Sequence, residues 1–145
     1  MQTTGKGRNS EEGMEKNMTL RTLPCALTVC KVKSLADIDL SAGFFFIART
    51  DEEISLVCRT EDAPAATLAR EDGWRAFRVE GVLDFSLTGI LSGLSGVLAE
   101  NGIGIFAVSS YNTDYILVKA VDFARAMEAL EQAGHEVIGS ISTAR

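Results

Sequence analysis

Residues 85–105, Phe85-Ser-Leu-Thr-Gly-Ile-Leu-Ser-Gly-Leu-Ser-Gly-Val-Leu-Ala-Glu-Asn-Gly-Ile-Gly-Ile105, decide how the rest of the chain is placed. Ile90, Leu91, Leu94, Val97 and Leu98 recur at helical spacing and give one apolar stripe. Ahead of them Ser86 or Thr88 offers an oxygen for an N-cap, and behind them Gly102 supplies a left-handed stop before an apolar strand. Gly89, Gly93 and Gly96 interrupt the helix. Helical glycines cost about 1 kcal/mol each relative to alanine, so close packing of Gly93 and Gly96 against the sheet or a partner chain is the expected compensation.

The flanking segments complete a unit. Trp74 to Gly81 alternates Phe77 and Val79 with Arg78 and Glu80, the period of a strand with one wet face. Beyond the helix, Ile103 to Ser110 reads as a strand, Tyr111-Asn-Thr-Asp114 as a polar corner, and Tyr115 to Ala120 as a strand returning antiparallel. Phe123, Ala126, Met127 and Leu130 fall at i, i+3, i+4 and i+7 of a second helix, capped by Asp122 and ended by Gly134. His135 to Gly139 is a closing edge strand, with His135 at the helix C-terminus, where its protonated form is favourable. The order is β-α-β-β-α-β. Two helices with one apolar stripe each cover the same face of a four-stranded antiparallel sheet, so the class is α+β and the arrangement ferredoxin-like.

The preceding half is shorter. Residues 1–17 carry no hydrophobic period and read as a disordered tail, within which Met14, or Met18 just after it, competes with Met1 as the start. Ala26 to Val32 reads as a strand, and Phe44 to Thr50 with Ile54 to Thr60 as a hairpin about Asp51-Glu-Glu53. Alternation divides Phe44, Phe45 and Phe46 between the two sheet faces. Glu61 to Asp72, with Pro64 and an alanine-rich run, is consistent with a short helix. The division is therefore a tail over 1–17, an abbreviated unit over 18–72 and a complete one over 73–145.

Composition narrows the function classes. Hydrophobic residues at 46% and charged residues at 23% belong to a chain that folds in water. A net charge of −6 leaves no basic field for nucleic acid. No apolar run reaches the roughly 18–20 residues of a membrane span. Cys25, Cys30 and Cys58 are odd in number, and no C-x-x-C spacing or His/Cys cluster occurs, so neither a disulfide framework nor a metal site is expected and a reducing cytoplasm fits. No acid/base pair or phosphate-loop lysine is present, and the expectation is a non-catalytic protein without a cofactor.

Three segments together resemble the ACT-domain superfamily, in particular the small two-ACT proteins related to aspartate kinase regulatory regions and to eukaryotic arginine sensors. They are Thr88-Gly-Ile-Leu91, Leu98-Ala-Glu-Asn-Gly-Ile-Gly-Ile-Phe106 and Ser109-Ser-Tyr-Asn-Thr-Asp-Tyr-Ile-Leu-Val118. The resemblance covers Leu20 to Ile138 and makes 73–145 an ACT domain preceded by an abbreviated ACT-like unit. It implies an amino-acid-binding module with the ligand where two units meet. The first half lacks a helix-entry glycine motif and a long first helix, so a homodimer would supply the paired site from two copies of Leu83 to Ile90.

A free amino acid presents a carboxylate, which suits the orphan amides of a helix N-terminus. The candidate ligand-facing edge is Asp84, Phe85, Ser86, Thr88, Gly89 and Ile90, with Gly89 allowing close approach to the backbone. Asn112, Thr113 and Asp114 are candidates at the corner, Asp114 as acceptor for an ammonium or guanidinium. Each has a plain reading beside this one: Gly89 as a packing position, and the corner residues as ordinary turn formers. The alternative function is a structural dimerisation module that keeps the fold without a ligand.

Overall fold

Strand β5, Ala69–Val79, runs across the division between the two halves and belongs to both. A computed structural model of the chain describes residues 17–80 and 89–142. Before β5 come β1 (Thr19–Thr22), β2 (Leu27–Val32), β3 (Phe45–Arg49) and β4 (Ile54–Arg59). After it come α1 (Ile90–Glu100), β6 (Phe106–Ser109), β7 (Asp114–Lys119), α2 (Phe123–Gln132) and β8 (Glu136–Ile138).

The first half of β5 pairs antiparallel with β2, from Lys31↔Ala69 to Leu27↔Trp74. β2 pairs on with β4 and β4 with β3, so the first unit has the strand order β5-β2-β4-β3. That is the ferredoxin-like order with single 3-10 turns, Leu35–Asp37 and Thr60–Asp62, where the helices would stand. Register slips between Leu27 and Val29, where Gly73 adopts φ 85°. This bulge ends the first pairing and redirects the strand. The second half of β5 pairs with β7 from Trp74↔Lys119 to Arg78↔Tyr115, and β7 with β6.

The second unit differs from the expected four strands. β1 lies between β5 and β8, antiparallel to the first (Leu20↔Val79) and parallel to the second (Leu20↔Val137). Leu20 is fully buried, so this short strand brings an apolar side chain into the core as well as backbone bonds. The expected helix over 61–72 is also absent: the 3-10 turn ends at Asp62 and the chain then extends into β5. Leu68 is exposed, so a helix there would have had no apolar stripe to offset its nucleation cost.

Three apolar clusters hold the sheet. Beneath α1 and α2 lie Leu94 and Leu98, Phe123, Ala126, Met127 and Leu130, packed on Leu20, Phe77, Val79, Ile116 and Val118. Each large side chain so buried contributes about 1.5–3 kcal/mol. On the first unit Cys30, Val32, Ile38, Leu56 and Cys58 form a second cluster with Phe45 against it. The third gathers Leu27, Val57, Ala76 and Leu117 with Phe44, Phe46, Trp74 and Phe106. Phe44 and Phe46 thus face away from Phe45, and both meet Tyr115 edge-on at 5.8 and 5.1 Å between centroids. These contacts join β3 to β7 and lock the two units together.

Four local expectations change. Gly93 and Gly96 are exposed, and a β-carbon at either would meet nothing within 4 Å, so the sheet does not explain them. Asp122 precedes α2 but makes no capping bond; its carboxylate accepts from Arg125 at 3.0 Å. His135 follows the helix, yet its Nδ1 accepts the Met18 N–H at 3.0 Å, which requires the neutral ring, and burial lowers its pKa. Gly102 and Gly134 do end their helices, at φ 72° and 105°.

Candidate functional site

The helix entrance begins at Gly89, whose φ of 83° is left-handed and whose carbonyl accepts the first helical bond from Gly93 at 2.8 Å. Gly89 has no side chain to cap the helix, and among the described residues no other side chain does so. The first amides of α1 have no partner within the helix by geometry, and they carry the positive end of its dipole. Ile90 is half-buried and packs toward the core, so what it offers a ligand is backbone. Asp84, Phe85, Ser86 and Thr88 lie outside the described residues.

The corner between β6 and β7 is internally bonded. Ser110 N–H donates to the Thr113 carbonyl at 2.8 Å, and Thr113 N–H returns to Ser110 Oγ at 3.3 Å. Thr113 is buried, and its hydroxyl donates to the Val79 carbonyl at 2.7 Å. The corner is thereby fixed to the end of β5, the strand that leads toward Gly89. Asp114 is half-buried, and Ser109 Oγ donates to its carboxylate at 2.6 Å. That bond orients the carboxylate and leaves acceptor capacity on it. Asn112 is exposed at the tip.

Next to Val79, Glu80 accepts from Arg21 at 3.1 Å and from Arg78 at 3.5 Å. Both arginines converge on this one carboxylate beside the corner. Exposed pairs of this kind contribute little to stability but set the local field. Sequence reading passed over this cluster, because Arg21 lies in a strand too short to notice. Ser109, too, carries no signal of a role when taken alone. Their register as facing residues across a hairpin is the signal that links Ser109 to Asp114.

Burial raises the pKa of Cys30 and pushes Cys58 up to about 11, so both remain thiols and behave as small core residues. Among the described residues no group of three or more His, Cys, Asp or Glu side chains is placed to hold a metal ion. Among them also, no helix is long and apolar enough to cross a membrane.

Comparison with known proteins agrees with this architecture. A family model described as an ACT domain matches residues 69–132. Protein Atu0741 from Agobacterium tumefaciens is similar over 89% of this chain and 98% of its own, at 30% identity and a TM-score of 0.77. Protein VC0802 from Vibrio cholerae is similar over 86% of this chain and 96% of its own, at 21% identity and a TM-score of 0.67. The regulatory subunit of aspartate kinase from Thermus thermophilus shares the fold over 83% of this chain and all of its own, at 12% identity and a TM-score of 0.56. No curated protein matches the chain.

Proposed function

The chain belongs to the ACT-domain superfamily, and from that premise we propose that it is a non-catalytic regulatory protein that binds a free amino acid where two ACT units meet. The carrying observation is the bonded corner: Thr113 ties it to the end of β5, and Ser109 orients the half-buried Asp114 carboxylate. In this reading the ligand carboxylate sits on the α1 entrance amides, opened by Gly89 and the residues from Asp84 to Thr88. Its ammonium meets Asp114. Thr113 is a positioning residue, Asn112 borders the ligand, and the units are 18–72 and 73–145 with β5 shared.

A homodimer completes the paired site, and occupancy is passed to a partner protein in the cytoplasm. Three free cysteines favour that compartment. A thermal-shift screen of the full chain with the twenty amino acids tests the reading. A ligand present at 100 times its Kd adds about 2.7 kcal/mol to the folded state, and a flat response to all twenty would refute it.

The structural alternative draws on a different observation. Gly93 and Gly96 lie open on the exposed face of α1, as they would if a second copy packed there without any ligand. Sedimentation separates the readings: a dimer indifferent to every amino acid supports the structural one.

A further inference from the structure

The first unit, stripped of helices, carries a charged cleft of its own. β2, the start of β4 and the first half of β5 border an open depression of about 460 Å³, within the size range of small-molecule sites. The charged side chains on this face are Lys31, Glu53 and Glu71, with Lys119 held on Glu71, whereas Arg70 stands opposite Cys30 and turns to the other face. Two cations and two anions give no net charge. That balance disfavours a simple anion such as phosphate and equally a simple cation.

Register explains how these groups stand. Lys31 lies directly opposite Ser55 on β4 and Ala69 on β5. Glu53 and Glu71, two residues along, are therefore its diagonal neighbours on the same face. Glu71 is engaged elsewhere, accepting from Lys119 Nζ at 2.6 Å, and that ammonium lies 4.6 Å from the Trp74 ring centre. Arg70 pairs with Asp72 at 2.9 Å. Among the described residues, Lys31 and Glu53 have no ion-pair partner, either with each other or with a neighbour. Lys31 is moreover half-buried.

We propose that this cleft binds a small zwitterion of the α-amino-acid type, with Lys31 holding its carboxylate and Glu53 its ammonium. One cation and one anion across adjacent strands, beside an open volume and bonded to neither each other nor the protein, match a molecule that carries both charges. The Ser55 hydroxyl stands on the same face to bond either group. This site is separate from the α1 entrance and the corner and does not depend on them. It makes the first unit a ligand-binding one despite its missing helices.

Titration of the ¹⁵N-labelled full chain with glycine, followed through backbone amide shifts, tests the proposal. Acetate and methylammonium serve as single-charge controls at the same concentrations. The expected result is saturable shifts at residues 29–31, 53–55 and 69–71 with glycine, at least tenfold weaker with either control. Lys31→Gln and Glu53→Gln should each weaken glycine at least tenfold, while Asp114→Asn leaves these shifts unchanged. Both side chains reach solvent, and unfolding midpoints equal to the parent's will show that the variants fold. The absence of a saturable shift in these strands up to tens of millimolar glycine overturns the proposal, as do equal effects from acetate or unaltered affinity in both variants.

Discussion

Replacing Thr113 with valine removes one hydroxyl and little volume, and so isolates the bond that fixes the corner to β5. Thr113 is buried, and its Oγ1 donates to the carbonyl of Val79, itself fully buried, at 2.7 Å. A neutral hydrogen bond of this kind contributes about 1 kcal/mol net, and leaving a buried carbonyl short of a donor raises the cost toward 2 kcal/mol. Thr113→Val should therefore destabilise the chain by about 1–2 kcal/mol, a fall in Tm of roughly 3–7 °C for a protein of this size. The assay is urea unfolding followed by the fluorescence of Trp74, the single tryptophan, with an unchanged m-value marking a change in stability alone. Asn112→Ala, one residue away and exposed, is the control and should stay within about 0.5 kcal/mol of the parent. If Thr113→Val also falls within that margin, the corner is not held by this bond and the site argument loses its anchor.

Gly139→Ala should cost about 2–4 kcal/mol in the same urea experiment, since φ is 102° and the new methyl would collide with Thr22 Oγ1, which donates to the Ser140 carbonyl; a neutral result would refute the placement of β1 beside β8. Gly93→Ala and Gly96→Ala, exposed and unobstructed, should each stabilise the monomer by about 0.5–1 kcal/mol, and a loss of dimer in sedimentation would favour packing against a second copy. His135 has a lowered folded pKa, so between that value and the unfolded value near 6.5 the unfolded chain binds more protons. Its contribution is full above pH ~6.5 and is lost as pH falls through the folded pKa; a urea midpoint in His135→Gln with undiminished pH dependence over that window would contradict the burial of the neutral ring.

The C-terminal unit was legible because its signals are local. The stripe of Phe123, Ala126, Met127 and Leu130, the stops at Gly102 and Gly134 and the β6–β7 corner each lie within a few residues of what they determine. What escaped reading depends on distant partners. Thr19–Thr22 is too short to show a period, and its place between β5 and β8 follows from pairing across more than a hundred residues. The first half of β5, with Arg70, Glu71, Asp72 and Gly73 in succession, looks like a connection until β2 lies beside it. His135 looked like a helix terminus because its acceptor role depends on Met18 at the other end of the chain. At the site, the corner residues could be named from turn chemistry. The bonds that separate Thr113, which positions, from Asp114, which remains available, required the register of β7 against β5 and β6.

Calorimetric titration of each of the twenty amino acids into the full chain and into Asp114→Asn tests the central claim most directly. The account predicts saturable heat with at least one amino acid, and at least a tenfold loss of that affinity in Asp114→Asn, because the ligand ammonium would lose a charged acceptor. No heat with any of the twenty at millimolar concentration, or full affinity retained by the variant, would contradict it.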